Sequence, residues 1–118
     1  MSSRLPMSFQ RIAYEVREVC NGVELSVLEA AVARTGLGEG ATAIDIGTGN
    51  ATVAIRLAQR FGLTVAAVEL DPVMADLARS RIAAADAGSR VSLTVARAAE
   101  VLARTEPVDL IVALGTTD

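Results

Sequence analysis

The feature that most constrains the fold is a glycine-containing turn that joins a short apolar run to a helical pattern. Residues 42–46 form an apolar run interrupted only by Asp45, and residues 51–61 have the apolar spacing of a helix. Glycines let a strand turn sharply into a helix and let a ligand approach the backbone and the helix N-terminus. The sequence therefore predicts a strand, a ligand-binding turn and a helix. The turn consists of Gly47, Thr48, Gly49 and Asn50.

Strands and helices are predicted to alternate along the rest of the chain. Two leading helices over 1–39 precede a βαβαβαβ unit over 40–118. Short helical connections between strands favour right-handed crossovers, so we expect a single α/β domain with a parallel sheet of about four strands and flanking helices. Further strands are predicted over 64–68, 90–96 and 108–114, and further helices over 8–21, 23–35, 72–87 and 98–104.

Side-chain patterning gives expectations for single positions. Asp71 directly precedes Pro72, a pair typical of a helix cap, and Asp109 is expected to cap or to face solvent at the start of the last strand. Apolar spacing predicts a core-facing surface on the helix over 72–87, whereas two arginines on the preceding helix are expected on its solvated face. The core-facing positions are Val73, Leu77 and Ile82, and the arginines are Arg56 and Arg60.

The composition excludes several kinds of chemistry. The chain has no histidine, which excludes a histidine general base and a Ser-His triad, and its single cysteine cannot form an internal disulfide. A formal net charge of −3 and 3% aromatic residues make nucleic acid an unfavourable partner. No stretch approaches the roughly 20 apolar residues of a membrane span, so we expect no membrane partner and a cytoplasmic location.

Two acidic residues accompany the predicted ligand-binding turn. Asp45 lies two residues before Gly47, and Glu69 ends the next strand 22 residues after Gly47. That spacing suits an acid that accepts hydrogen bonds from ribose hydroxyls. A dinucleotide site would need a third small residue where this chain has Thr52, and the Asp45 carboxylate would repel a phosphate. A cationic ligand such as S-adenosylmethionine, with its sulfonium and ammonium groups, would instead be attracted.

Two segments resemble motifs of class I S-adenosylmethionine-dependent methyltransferases. Residues 43–51 resemble the first motif, Asp-x-Gly-x-Gly-x-Ala, and residues 67–72 resemble the second. The likeness covers residues 40–115 and implies a Rossmann-like fold with S-adenosylmethionine as the cofactor. It also implies that Asp45 contacts the methionine end, that Gly47, Thr48, Gly49 and Asn50 line the cofactor, that Glu69 holds the ribose and that Leu70 packs on the adenine.

The third and fourth motifs add residues at the cofactor. Where the family commonly shows an aspartate that accepts from the adenine amino group, this chain has Arg97, which offers only donors. Stacking by Arg97, the backbone of Ala98 and the Glu100 side chain are three alternatives for the adenine contact, of which we favour Ala98. The resemblance also implies that Leu114 and Gly115 face the cofactor beside the transferred methyl group.

The predicted sheet is incomplete relative to the seven-stranded sheet of that family. Residues 108–114 are apolar on both faces, and an unpaired edge of this kind favours association. We expect either a longer methyltransferase domain or coverage of this edge by another chain, including a second copy in a homo-oligomer. The implied activity is methyl transfer to an acceptor, a small molecule or another, that the motifs do not identify. The alternatives are a non-catalytic module that associates through this edge and an NAD-binding fragment.

Overall fold

A computed structural model describes residues 22–104 and 106–113 of the 118-residue chain. The predicted helix over 8–21 and the predicted cofactor residues Leu114 and Gly115 lie outside these ranges. No helix within the described ranges is long and apolar enough to cross a membrane. The elements are α1 Gly22–Thr35, β1 Thr42–Ile46, α2 Thr52–Phe61, β2 Thr64–Glu69, α3 Pro72–Ala84, β3 Val91–Val95, α4 Ala98–Arg104 and β4 Leu110–Ala113.

The four strands form one parallel sheet in the order β3-β2-β1-β4. Thr42 pairs with Thr64, and Ile44 pairs with Ile111, so β1 is flanked on both sides. Helices connect the strands, which confirms the prediction of an α/β fold with a Rossmann-like parallel sheet. Strands β2 and β3 therefore lie on one side of β1, and β4 lies on the other.

The sheet is buried by different helices on its two faces. Helices α1, α2 and α3 cover one face, on which the alternate strand positions Ala43, Val65 and Ala67 are at most 2% exposed. The other face packs against α4 through Ala98 and Val101. Its buried strand residues are Ile44, Ile46, Val68 and Ile111.

Helix α3 ends at Ala84, three residues before its predicted end at position 87. Asp86 adopts a left-handed conformation with φ +55°, which an alanine-rich pattern does not reveal. The Asp86 N–H then donates to the Ala83 carbonyl, and the Ala87 N–H donates to the Ile82 carbonyl, both at 3.0 Å. This pair of bonds is the Schellman arrangement that closes helices.

The predicted core-facing surface of α3 is wrong at two of its three positions. Val73 and Leu77 are 75% and 46% exposed, whereas Ile82 is buried as expected. The helix instead turns Ala75 and Ala78, both 0% exposed, toward the sheet. Small side chains let the helix approach the strands closely, and this rotates the larger apolar residues outward.

The two arginines of α2 are not a purely solvated face. Arg60 Nη1 lies 3.1 Å from Glu29 Oε1, and Arg56 Nε lies 3.4 Å from Glu29 Oε2. Glu29, on α1, is only 6% exposed, so this carboxylate needs compensating charge. Both arginines are exposed, as predicted, but their pairing with Glu29 was not predicted because tertiary packing brings Glu29 to α2 from 31 residues away in sequence from Arg60.

Asp109 joins the start of β4 to the start of β1. Its Oδ2 accepts from the Thr42 N–H at 2.9 Å, and the Asp109 N–H donates to the Thr42 carbonyl at 3.0 Å. These bonds fix the register between the two strands at the end of the sheet opposite the glycine turn. Asp109 therefore has a structural capping role, as one of the two sequence expectations had it.

Candidate functional site

A crevice is expected where the connections that leave two neighbouring strands of a parallel sheet run in opposite directions. In the order β3-β2-β1-β4 this switch lies between β1 and β4. Ligands of open α/β sheets bind outside the carboxyl ends of the strands at such a point. Asp45 is the penultimate residue of β1, the glycine turn follows β1, and Glu69 is the last residue of β2. The two acids predicted to bind ligand therefore lie at the same edge of the sheet.

The glycine turn is held against β2 by its backbone. The N–H groups of Gly47 and Thr48 both donate to the Val68 carbonyl, at 2.9 and 3.0 Å. Gly47 and Gly49 have φ values of +70° and +60°, which other residues rarely adopt. Ala51, also left-handed at φ +71° and fully buried, leads directly into α2. The turn is thus fixed against β2 at the carboxyl end of β1.

Asp45 is the buried carboxyl group of the site. It is 0% exposed, and its Oδ2 accepts a 2.7 Å hydrogen bond from the Thr48 hydroxyl. Its Oδ1 is also buried and has no hydrogen-bond partner among the described residues. Burial raises the pKa of Asp45 from 3.8 to about 7, the Thr48 hydrogen bond opposes this, and the nearby Glu69 carboxylate adds to it. A cation placed at Oδ1 would satisfy the free oxygen and favour the ionised form.

Glu69 links the glycine turn to the start of α3. Its Oε1 accepts from the Gly49 N–H at 2.8 Å, and its Oε2 accepts from the Asp71 N–H at 3.0 Å. Charge-assisted bonds to two backbone donors fix the orientation of the carboxylate. Each oxygen retains acceptor capacity, so the same side chain can also receive a pair of hydroxyl donors.

Asp71 caps helix α3, and Asn50 bonds to the first residue of helix α2. Asp71 Oδ1 accepts from the Val73 N–H at 2.9 Å, which confirms the predicted N-cap of α3. Asn50 Oδ1 accepts from the Thr52 N–H at 3.1 Å and from the Thr52 hydroxyl at 2.7 Å. The Asn50 side-chain oxygen is therefore occupied by Thr52, the first residue of α2.

The residues predicted to surround a base lie beyond Glu69, toward β3. The Ala96 N–H donates to the Glu69 carbonyl at 3.2 Å, so the segment after β3 runs beside the end of β2. Leu70 is 48% exposed, Arg97 is exposed, and Ala98 is buried at the start of α4. Leu70, next to Glu69, thus exposes apolar surface, and its contact with a base stays a prediction.

Two contacts of the site were not predicted from the sequence. The Thr48 hydroxyl bonds to Asp45, and Glu69 bonds to the Gly49 backbone. A hydroxyl three residues after a strand-end acid is a weak signal for the first contact. The second depends on the approach of β2 to the turn, which sequence spacing does not give.

Comparison with known proteins places this geometry in context. Residues 43–117 match the model of a protein family described as methyltransferase domain. A search of curated proteins found no match. Among solved structures, a SAM-dependent methyltransferase from Geobacter sulfurreducens in complex with S-adenosyl-L-homocysteine is similar at a TM-score of 0.69 and 16% identity, covering 94% of this chain and 43% of that one.

Two other solved structures share the fold. A SAM-dependent methyltransferase from Thiobacillus denitrificans, also with S-adenosyl-L-homocysteine, has a TM-score of 0.69 and 18% identity and covers 99% of this chain and 46% of that chain. An RNA methyltransferase from Salinibacter ruber, with the same ligand, has a TM-score of 0.63 and 19% identity, and the match covers 75% of this chain and 56% of that chain. The chain spans less than two thirds of each of these proteins.

Proposed function

This chain belongs to the methyltransferase domain family, and we propose that it binds S-adenosylmethionine at the carboxyl ends of β1 and β2 as the cofactor-binding part of a methyltransferase. The observation that carries the proposal is the buried Asp45 carboxylate, whose Oδ1 lacks a hydrogen-bond partner in the described part of the chain. The sulfonium and ammonium groups of S-adenosylmethionine are the positive charges that such an oxygen would accept. A free buried acceptor costs stability, so a ligand that satisfies it gains binding free energy.

Each end of the cofactor has a candidate partner. We assign Asp45 and the backbone of residues 47–50 to the methionine end, because the turn is held against β2 at the carboxyl end of β1 by hydrogen bonds to the Val68 carbonyl. Glu69 is assigned to the ribose, because both of its oxygens are already oriented by backbone donors. Leu70 is assigned to the face of the base, with the Ala98 backbone at its edge. Leu114 and Gly115 stay predictions from the sequence.

The role of the chain in catalysis would be positioning. S-adenosylmethionine supplies an activated methyl group that is transferred by in-line displacement. Asp45 holds the positive end of the cofactor, and Glu69 fixes the nucleoside through the ribose. The glycine turn is held in place because two of its N–H groups donate to the Val68 carbonyl of β2. The acceptor, a small molecule or another, would be bound by parts of the protein beyond the four described strands.

A dinucleotide is disfavoured by the same geometry. A pyrophosphate seated on the glycine turn would lie near the Asp45 and Glu69 carboxylates, and the negative charges would repel it. Thr52, where a dinucleotide site needs a small residue, also bonds to Asn50 and accepts from Arg81 at 3.3 Å. This packing fills the place at which the helix would approach a pyrophosphate.

Strand β4 is a second candidate surface, for association rather than catalysis. It pairs with β1 on one side, and no described strand pairs with its other side. Leu110, Ile111 and Val112 are each at most 5% exposed, so the strand is apolar on both faces. We infer that a further strand pairs here, from the same protein or from a second copy.

A cytoplasmic location also stays a prediction from the sequence.

Calorimetric titration with S-adenosylhomocysteine tests the proposed function with a matched pair of variants. Glu69→Gln removes the charge from the proposed ribose ligand and should weaken binding by about tenfold or more, the range for hydrogen bonds to charged groups. Asp71→Asn keeps a capping oxygen two residues away and should change binding by less than about threefold. Absence of binding by the unmodified chain at millimolar ligand would contradict the proposal, as would a larger effect of Asp71→Asn.

A further inference from the structure

Thr48 is a buried residue of the glycine turn whose hydroxyl bonds to the carboxyl group of the proposed cofactor site. It is 4% exposed, and its hydroxyl donates to Asp45 Oδ2 at 2.7 Å. Its N–H is held separately, because it donates to the Val68 carbonyl of β2 at 3.0 Å. A hydroxyl has one proton to donate, so the bond to Asp45 uses the donor of this side chain. Thr48 therefore ties Asp45 on β1 to a turn whose position is fixed by β2.

The same bond determines which oxygen of Asp45 is left for a ligand. Oδ2 accepts from Thr48, whereas Oδ1 is buried and has no hydrogen-bond partner among the described residues. An ionised carboxylate in this position is unfavourable, because a buried charge needs hydrogen bonds or a counter-charge. While no cation is bound, the geometry therefore favours the protonated form of Asp45.

The charged groups on the surrounding elements do not supply a counter-charge to Asp45. Burial raises the pKa of Asp45 to about 7, the Thr48 hydrogen bond opposes the rise, and the Glu69 carboxylate of β2 adds to it. Strand β4, which pairs with β1, has no charged residue over Leu110–Ala113. Helices α1 and α2 hold three charged side chains that pair with one another, Glu29, Arg56 and Arg60. The other described charged side chains of α1, α3 and α4 are exposed: Arg34, Asp76, Arg79, Arg81, Glu100 and Arg104. The positive charge that ionises Asp45 must therefore come with the ligand.

We propose that Thr48 is a positioning residue of the cofactor site, and that the cationic cofactor binds with the loss of one proton from Asp45. This inference rests on the proposed function. The Asp45 carboxyl group gives its proton to the solvent, and a positive group of the cofactor takes its place at Oδ1. The Thr48 hydroxyl favours this exchange, because it donates a stronger hydrogen bond to an ionised oxygen than to a neutral one. Cofactor affinity is then coupled to pH through a pair of residues that contact each other.

Proton release is measured by calorimetric titration with S-adenosylmethionine at pH 6 in two buffers of different ionisation enthalpy. A pKa of about 7 leaves Asp45 mostly protonated at this pH, so the unmodified chain should release about 0.9 proton for each cofactor bound. Asp45→Asn should bind more weakly and release none. Binding by the unmodified chain without proton release would overturn the proposal, as would equal release by Asp45→Asn. Failure of the proposed function looks different, because the cofactor would then not bind at any pH.

The role of Thr48 is tested by the pH dependence of the affinity ratio between the unmodified chain and Thr48→Val. Loss of the hydroxyl should raise the pKa of Asp45 further, by about one unit, so the variant should bind about tenfold more weakly at pH 6 and almost equally at pH 9. Thr48→Ser keeps the hydroxyl and should restore the affinity at pH 6. Thr64→Val, at an exposed position in the first residue of β2, is the matched control and should bind like the unmodified chain at both pH values. A purely structural role of Thr48 would lower the affinity by the same factor at both pH values, and that result would contradict the proposal.

Discussion

The buried carboxylate of Asp45 lowers the stability of the fold and is also the group proposed to bind the cationic ligand. A carboxylate that is 0% exposed, with one oxygen bonded to Thr48 and the other free, is destabilising when ionised. Its pKa is raised to about 7, so near neutral pH the protein bears that charge only in part. Sites that bind charged ligands often retain such groups at the expense of stability. The trade-off can be measured because the asparagine variant has the same shape without the charge.

Asp45→Asn should stabilise the ligand-free protein at high pH and not at low pH. The folded pKa is raised from 3.8 to about 7, so the native state holds a proton that the unfolded chain has lost between these values. This contribution to the free energy of unfolding is complete below the lower value, declines as pH rises, and is gone above about pH 7. Denaturant unfolding should show that, between pH 5 and pH 8, the free energy of unfolding falls by about 2 kcal/mol more in the unmodified chain than in the variant. Parallel pH profiles for the two proteins would contradict the burial of an ionisable Asp45.

At the residue scale, the sequence was sufficient to predict that Asp45 and Glu69 lie together. Both lie near the carboxyl ends of parallel strands, and these ends meet at one edge of the sheet. The bonds of Thr48 to Asp45 and of Glu69 to Gly49 were not predictable, because they depend on distances of a few ångströms set by the packing of the turn on β2.

At the element scale, the cluster of Glu29, Arg56 and Arg60 joins α1 to α2. The Glu29 side chain is 8% exposed, whereas the arginine side chains are 49% and 55% exposed. The arginines also differ in partners, since the Arg60 guanidinium lies 5.6 Å from the ring centre of Phe61. The carboxylate is thus the desolvated member of the cluster, and both cations compensate its charge.

The double variant Arg56→Ala/Arg60→Ala should lower the free energy of unfolding by about 1–3 kcal/mol, because a buried carboxylate loses its compensating charges. The same double change in a Glu29→Met background should have a much smaller effect, because no buried charge then needs a partner. Arg79→Ala is the control, since its pair with Asp76 is exposed on both sides and should contribute less than about 1 kcal/mol. Equal losses in the two backgrounds would show that the arginines act by packing alone.

Most element bounds were predictable from periodicity, glycine positions and caps. The exceptions have identifiable causes. The end of α3 is set by the left-handed Asp86, and the rotation of α3 is set by the close fit of Ala75 and Ala78 to the sheet. A hydrophobic pattern ranks Val73 above alanine for burial, but a close helix-to-sheet contact selects the smaller side chain.

At the scale of the whole molecule, the described sheet contains four strands and leaves β4 at its edge. Within the described ranges the chain holds a proposed cofactor site but no second wall for an acceptor. The fold was predictable because strand and helix order restricts parallel sheets to few topologies. The methyl acceptor was not predictable, because the residues that would bind it are not among the motifs of the sequence.

An unpaired apolar edge should make the chain self-associate. Light scattering over a concentration series should give an apparent mass that rises above that of one chain, because β4 offers backbone groups to a second strand. Leu110 and Val112 are each 1% exposed, so charged substitutions there would disrupt the core and are unsuitable as tests. A constant monomer mass up to millimolar concentration would remove the support for association through this edge.

The central claim is that a buried carboxylate at a glycine-lined crevice selects a positively charged nucleoside over a polyphosphate. Calorimetric titration of the unmodified chain and of Asp45→Asn with S-adenosylmethionine and with NAD⁺ at pH 8 tests it most directly. We predict that the unmodified chain binds S-adenosylmethionine more tightly than NAD⁺, and that Asp45→Asn weakens S-adenosylmethionine by about tenfold or more while leaving NAD⁺ unchanged or improved. Tighter binding of NAD⁺ to the unmodified chain, or an unchanged affinity for S-adenosylmethionine in the variant, would contradict the claim.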